Sequence, residues 1–243
     1  VDKPLWRAKW TPEQLDERQK DIGSVEFDRA FRNIALSGEY AVCLSEWIKW
    51  EQVPYEYLDH VLLSIDPAES SGAKADYMGV CLLGYLDNKI YVIDWMHYRG
   101  TMPGRLEIIN NLNNEFNPDS IVIERAGGGI SLIQSIESEN FEMFKKITGI
   151  KHKINKSERL SRVTPFIERS QQNTGMIEVV FNQDLNNQVQ ESKGDLIREL
   201  VEFPIAAHDD LLDAFSQGAW CLIKMFSTQE RKSDQKYEVV DIV

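Results

Sequence analysis

The sequence predicts an α/β domain on a mixed sheet, an antiparallel three-stranded meander plus parallel strands flanked by helices, over residues 58–226. Three observations carry that expectation. Val61-Leu62-Leu63-Ser64-Ile65, Tyr77 to Gly84 and Lys89 to Trp95 are short apolar runs, the last two joined at Asp87-Asn88, which describes a meander. Residues 103–116 place Leu106, Ile109 and Leu112 at a helical period ahead of the fully apolar Ile121-Val122-Ile123. A helix crossing to such a strand implies parallel pairing with a right-handed connection. The third is an apolar run from Ala214 through Trp220 to Ile223, within a final helix expected from about His208 to Phe226.

With 243 residues, 42% of them hydrophobic and 27% charged, the chain can bury one substantial core. No apolar run approaches the roughly 20 residues of a membrane span, so no membrane partner is expected. Cys43, Cys81 and Cys221 form neither a metal spacing nor a disulfide framework, which points to a reducing, cytosolic setting. The start at Val1-Asp2-Lys3-Pro4 has no Met and no signal-peptide pattern. It reads as a fragment boundary.

Residues 1–57 differ in texture from the rest. Thr11-Pro12-Glu13-Gln14 combines an N-cap, a Pro at the first helical position and a capping-box partner, opening a helix to about Asp21. A second helix is expected from Val25 to Ala35. Trp6, Trp10, Trp47 and Trp50 gather here without strand alternation, so the stretch reads as a helical connecting arm that packs on a neighbouring domain.

Beyond the meander, Glu69 to Asp76 is a small polar loop. The run Arg125-Ala126-Gly127-Gly128-Gly129 lacks the Gly-Lys-Ser/Thr element of a phosphate loop and reads instead as backbone passing close to a site. A strand is expected over Phe144–Ile150, a helix over Lys156–Gln172 and a short strand over Met176–Phe181, after a turn at Thr174-Gly175. A helix follows around Leu196–Leu200, and residues 227–243 read as a flexible tail.

A net charge of −12 argues at first against a polyanionic partner. The distribution argues otherwise. Lys145, Lys146, Lys151, Lys153, Lys156, Arg159 and Arg162 share one segment with a single acid, Glu158. Lys156, Arg159 and Arg162 form a drifting stripe on the expected helix, which is either a phosphate-contact surface or a solvated face.

Three acidic placements carry the chemistry. Asp66 ends the first strand of the meander and Glu124 ends Ile121-Val122-Ile123. His208-Asp209-Asp210-Leu211-Leu212-Asp213 opens the last helix, where Asp213 lies one turn from both Asp209 and Asp210. Acids at a helix start serve as caps, and a strand-end Asp serves as a turn former. Carboxylates at the ends of neighbouring strands, however, converge on one edge of a sheet, and a helix packed on that sheet brings its first turn there. Such a set would hold two Mg²⁺ or Mn²⁺ ions roughly 3.5–4 Å apart and position a water for in-line attack on a phosphodiester.

These residues resemble a family. The order strand–Asp, hairpin, helix, strand–Glu, last helix with Asp is similar to the RNase H-like (retroviral-integrase-type) nuclease fold. More narrowly, it resembles the C-terminal nuclease domain of the large terminase subunit of tailed bacteriophages. The matching motifs are Ser64-Ile65-Asp66-Pro67-Ala68 with Ala75-Asp76-Tyr77, Ile90-Tyr91-Val92-Ile93-Asp94, and Val122-Ile123-Glu124 with its Gly-rich turn. Lys156-Ser157-Glu158-Arg159 and Glu202-Phe203-Pro204 followed by His208–Ala214 complete them. Residues 10–40 also resemble the arm that follows the packaging ATPase in these proteins.

The resemblance implies a metal-dependent endonuclease that cuts concatemeric viral DNA in the bacterial host cytoplasm. Its implied partners are double-stranded DNA, a terminase ATPase domain missing from this chain, the small terminase subunit and the portal protein. Asp66, Glu124 and Asp209 or Asp210 would be the metal ligands, with Asp213 a ligand or a support to one and His208 a further candidate. Asp76 has a place in the pattern without a defined role. No Walker A sequence is present, so this chain would not power translocation. The stripe Lys156, Arg159 and Arg162 and the strand Met176–Phe181 would lie along the DNA path. Rival readings are a Holliday-junction resolvase or transposase nuclease, and a non-catalytic RNase H-like binding module. Neither nuclease rival explains the Trp-rich arm or the Glu-Phe-Pro…His-Asp-Asp spacing.

Overall fold

Thr11 accepts the Gln14 amide while the Gln14 side chain accepts the Thr11 amide, so the capping box read from the sequence starts helix α1 (Pro12–Ile22). A computed structural model describes residues 9–32, 42–67, 77–172, 175–182, 195–206 and 208–227. After α1 come α2 (Ser24–Phe31), β1 (Trp50–Glu51), β2 (His60–Asp66), β3 (Met78–Leu86) and β4 (Lys89–Tyr98). Then follow α3 (Met102–Phe116), β5 (Ser120–Glu124), α4 (Gly128–Glu139), α5 (Phe141–Phe144) and β6 (Ile147–Ile150). The chain continues through α6 (Lys156–Arg169), β7 (Glu178–Asn182), α7 (Leu196–Glu202) and α8 (Asp210–Ser227).

The sheet has seven strands in the order β1-β7-β4-β3-β2-β5-β6. β2, β3 and β4 form the expected antiparallel meander, with Asp87 and Asn88 at φ +48° and +61° in its tight turn. β5 joins β2 in parallel and β6 joins β5 in parallel, as the crossover through α3 implies. The two faces of the sheet bury separate apolar layers. Leu62, Cys81, Leu83, Val92 and Val122 pack under α6, α7 and α8, while Leu63, Ile65, Val80, Ile121 and Ile123 pack against α3 and α4. Alternate residues of each strand thus serve opposite layers, which explains why these strands read as nearly continuous apolar runs.

The expected arm over residues 1–57 does not stand apart over its last part. Cys43 and Trp47 are buried in the layer under α6 and α8, Val53 is buried on the other face, and β1 pairs in parallel with β7. Two residues are too few to show alternation, so only the edge of β7 makes this strand. α2 ends at Phe31, and residues 33–41 lie outside the described residues. Two charged residues of α6 tie the arm down. Glu168 accepts the Ser24 amide at 2.9 Å, and the buried Arg169 donates to the Lys20 carbonyl at 2.8 and 2.9 Å, satisfying the last turn of α1.

Three other expectations shift. The strand expected from Phe144 begins at Ile147, because Asn140 accepts the Met143 amide and caps the short helix α5. β7 is buried at all five positions, between β1 and β4. Of the segment Met176–Phe181 expected along the DNA path, the strand itself is enclosed and Met176 is exposed. The loop 68–76 with Asp76, Thr174 and the expected tail beyond Ser227 lie outside the described residues.

α8 lies close on β2 and β3 because Gly218 has no side chain. A Cβ there would stand 2.7 Å from both Leu83 Cδ1 and Ser64 Cβ. Gly218→Ala is therefore expected to destabilise the fold by about 1–3 kcal/mol, the usual range for overpacking, despite the better helix propensity of Ala. Urea unfolding followed by circular dichroism measures it; an unchanged midpoint would show that α8 sits more loosely.

Candidate active site

Strand register brings the first two acids together. Ile65 pairs with Ile123 in parallel, so Asp66 and Glu124, one residue on, end neighbouring strands side by side. Both continue the face that carries Leu62 and Val122, the face covered by α8. Asp66 also pairs with Gly79, and Gly79 pairs with His97, so the row Glu124, Asp66, Gly79, His97 crosses four strands at one end of the sheet.

Gly79 is where the last helix meets that row. A Cβ on Gly79 would stand 2.2 Å from the Asp210 carbonyl oxygen, so the first turn of α8 rests directly on the backbone of β3. No other residue fits. Glu199 of α7, itself buried, fixes the same turn by accepting the Leu212 amide at 2.9 Å. Its second oxygen lies 3.1 Å from His97 Nε2, at a distance but not an angle for a hydrogen bond. Asp210 and Asp213, three residues apart on α8, then share the side that faces Asp66.

The electrostatics record this convergence. Burial pushes the Asp66 carboxyl well above the usual carboxylate range, and Asp213, Glu124 and Asp210 push it further, with only Lys156 opposing. Asp210 is pushed up to about 6, first by burial; Glu199 and Asp209 add to this, against His97 and Lys156. Asp209 is not among the acids that raise Asp66 most. It is half exposed and turns to Lys156, at 2.6 Å. Of the two acids that the sequence left in competition, Asp210 is the one that faces the strand-end carboxylates.

The basic stripe expected on α6 is turned differently from the expectation. Lys156 bonds both Asp209 and Asp213 at 2.6 Å, and Arg159 bonds the other oxygen of the buried Asp213. Burial alone would lower the Lys156 ammonium's pKa, but Asp213 and Asp209 outweigh it and raise it. Arg162 instead pairs with Glu158 one turn back, at 2.9 Å. The stripe thus points two ways, because excess carboxylate draws its first two members inward. His208, exposed, stands edge-on to Tyr77 with ring centres 5.2 Å apart. Gln217 donates to the Ile65 carbonyl at 2.8 Å, fixing the end of β2. The Gly-rich turn behaves as expected, since a Cβ on Gly129 would fall 1.8 Å from the Glu124 carbonyl oxygen.

His97, Glu199 and Gln217 were missed by the sequence reading. Each lies inside an element with no motif of its own, and only strand register or helix packing brings it to the site.

A sequence model described as the terminase RNaseH-like domain matches residues 63–219, well over half of the chain and all of the converging acids. The chain belongs to the terminase RNaseH-like domain family. Its fold is similar to the large terminase from a thermophilic bacteriophage in complex with ADP. That match has a TM-score of 0.61 at 13% identity and covers 90% of this chain and 53% of that one. A second crystal form of the same phage protein gives a TM-score of 0.60 at 14% identity, covering 89% and 52%. The human cytomegalovirus terminase nuclease domain aligns at a TM-score of 0.46 and 16% identity, over 74% of this chain and 92% of that one. No curated protein sequence matches. The chain spans about half the length of the thermophilic-phage large terminase it matches.

In this terminase RNaseH-like domain the donor types suit a hard divalent cation: four carboxylates from three elements, against the two cations Lys156 and Arg159. As placed, no three His, Cys, Asp or Glu side chains among the described residues close on one point. The acids share an edge, and of the four only Asp213 is bonded by Lys156 and Arg159.

A pH dependence follows. The carboxyl of Asp210 in the folded state, at about 6, lies above its ordinary 3.8. The unfolded chain therefore loses this proton first as pH rises, and stability falls between about pH 4 and 6. Asp210→Asn is expected to stabilise the fold at pH 7 by about 1 kcal/mol, less than the full shift implies because the carboxylate is partly solvated. At pH 3.5 it should make little difference. Thermal unfolding at the two pH values measures this; equal gains at both would remove the electrostatic explanation.

Proposed function

We propose that the chain is the divalent-metal-dependent endonuclease domain of a large terminase, cutting concatemeric viral DNA for packaging. The observation that carries this reading is the convergence of Asp66, Glu124, Asp210 and Asp213 from two strand ends and one helix turn on a single sheet edge. These four would hold two Mg²⁺ or Mn²⁺ ions, with Asp209 the outer carboxylate. The chemistry such ions supply is a lowered pKa for the attacking water and neutralised charge on the leaving 3′ oxygen.

The chain's own residues have distinct parts. Gln217 and the β2–β5 pairing hold Asp66 beside Glu124. Glu199 and Gly79 seat the turn that carries Asp210 and Asp213. Lys156 and Arg159 limit the repulsion among the carboxylates and orient Asp213. The substrate is double-stranded DNA, and the partners are an ATPase domain on the remainder of the protein, the small terminase subunit and the portal protein, in the bacterial host cytoplasm. Among the described residues no helix is long and apolar enough to cross a membrane.

Plasmid cleavage tests the reading. With Mn²⁺ the chain is expected to nick and linearise supercoiled DNA, and EDTA should stop it. Asp66→Ala should lower the rate by at least about a hundredfold, since loss of even an indirect contact to a metal ligand costs 10–100-fold. Failure of the parent chain to cut at any protein concentration would favour a non-catalytic module.

A further inference from the structure

The seven cations between Lys145 and Arg162 are not equivalent once their partners are known. Lys145 pairs with Glu142 at 2.6 Å, and Arg162 pairs with Glu158 at 2.9 Å. Lys156 and Arg159 are bound to Asp209 and Asp213. Lys146 donates to the amide oxygens of Asn117, at 2.8 Å, and Asn113, at 3.3 Å. Lys151 and Lys153 remain. Both are exposed, and among the described residues no carboxylate pairs with either.

Their position relative to the acids is defined by the sheet. Ile150, the last residue of β6, is in register with Glu124, so the loop from Lys151 to Asn155 leaves the same sheet edge. This loop and the outer side of α8 enclose a cavity of about 100 Å³. Lys151, His152, Lys153, Arg159 and Arg162 line it beside Ser216, Gln217 and an apolar wall of Ile150, Ile154, Trp220 and Cys221. Among the described residues no carboxylate lines it, although the chain carries a net charge of −12. Two of its walls are shared with the acid cluster. Arg159 reaches Asp213, and Gln217 bonds the Ile65 carbonyl while its oxygen stands 3.3 Å from His152 Nε2.

We propose that this cavity is a phosphate site, in which Lys151 and Lys153 grip a backbone phosphate of the duplex next to the one cut at the acid cluster. The inference rests on the nuclease reading and shifts the weight of the DNA contact from Lys156 and Arg159, which the carboxylates hold, to Lys151 and Lys153 of the β6–α6 loop. A phosphodiester entering there meets two ammonium groups that no carboxylate holds among the described residues, and the partly exposed ring of Trp220; Ser216 and Gln217 form the floor, their donors already given to the Asp213 and Ile65 carbonyls. On an acidic protein such a site confines DNA to one approach, because phosphates are repelled elsewhere. Contacts of this kind carry no base information and are strongly salt-dependent.

Duplex binding by the 243-residue chain tests the site, measured by fluorescence anisotropy in EDTA across a sodium chloride titration. Lys151→Ala with Lys153→Ala is expected to weaken binding at least about tenfold, and to reduce the slope of log K against log salt by about one, for the one phosphate that the two ammonium groups neutralise. Lys145→Ala, which removes a cation already paired, should change neither. Exposed lysines are not needed for folding, so the variants remain interpretable. If the double variant binds with parental affinity and slope while the parent cuts plasmid, the phosphate site is wrong and the nuclease reading stands. If the parent neither binds duplex nor cuts with Mn²⁺, the nuclease reading fails and takes this proposal with it.

Discussion

The site depends on one contact, that between the first turn of α8 and the backbone of Gly79. The Asp210 carbonyl occupies space that any side chain on Gly79 would fill. That approach puts Asp210 and Asp213 over a row already holding Asp66 and Glu124. Gly218, two turns further along the helix, keeps α8 equally low over β2 and β3. Raising either end by the thickness of a methyl group would separate the helix acids from the strand acids. Local packing therefore sets the geometry of the chemistry, and packing of this kind yields little without cost.

Bringing like charges together creates the second constraint, which α6 answers. Its first turns insert Lys156 and Arg159 among the carboxylates, and its last turn holds the junction of α1 and α2 through Glu168 and Arg169. One fourteen-residue helix thus touches both the site and the arm. Its middle is apolar on the sheet side, with Leu160, Val163 and Ile167 buried. Such a helix is rigidly placed, so the positions of its two charged ends are set together.

Much of this was legible from the residues. The meander, the parallel crossover and the three acidic placements follow from apolar runs that end in Asp or Glu and from the spacing of Leu106, Ile109 and Leu112. What was not legible depended on distant pairing. β1 is only Trp50-Glu51 and exists because β7 offers an edge. His97 and Glu199 look like any strand or helix residue until register and packing place them beside Asp210. The stripe on α6 was read correctly as basic, but its direction was set by carboxylates more than 50 residues away, as in the Arg159–Asp213 pair. Charge spacing along one helix does not report what that charge will meet.

The sequence left open whether the acids of His208–Asp213 cap a helix or serve a site, and the surroundings of Asp210 bear on that choice. A carboxylate whose work is capping is stabilised by the helix N-terminus and by amide donors, so its pKa falls. Asp210 shows the reverse, pushed up to about 6 by burial despite its place in the first turn. The Leu212 amide of that turn is bonded by Glu199 rather than by either aspartate. Asp66 is likewise raised, by burial and by three neighbouring acids. These groups weaken the fold at neutral pH. A chain shaped by stability alone would hold Asn or a smaller residue at such positions. Repulsion of this kind, kept on one edge, is relieved by added positive charge, which Lys156 supplies in part.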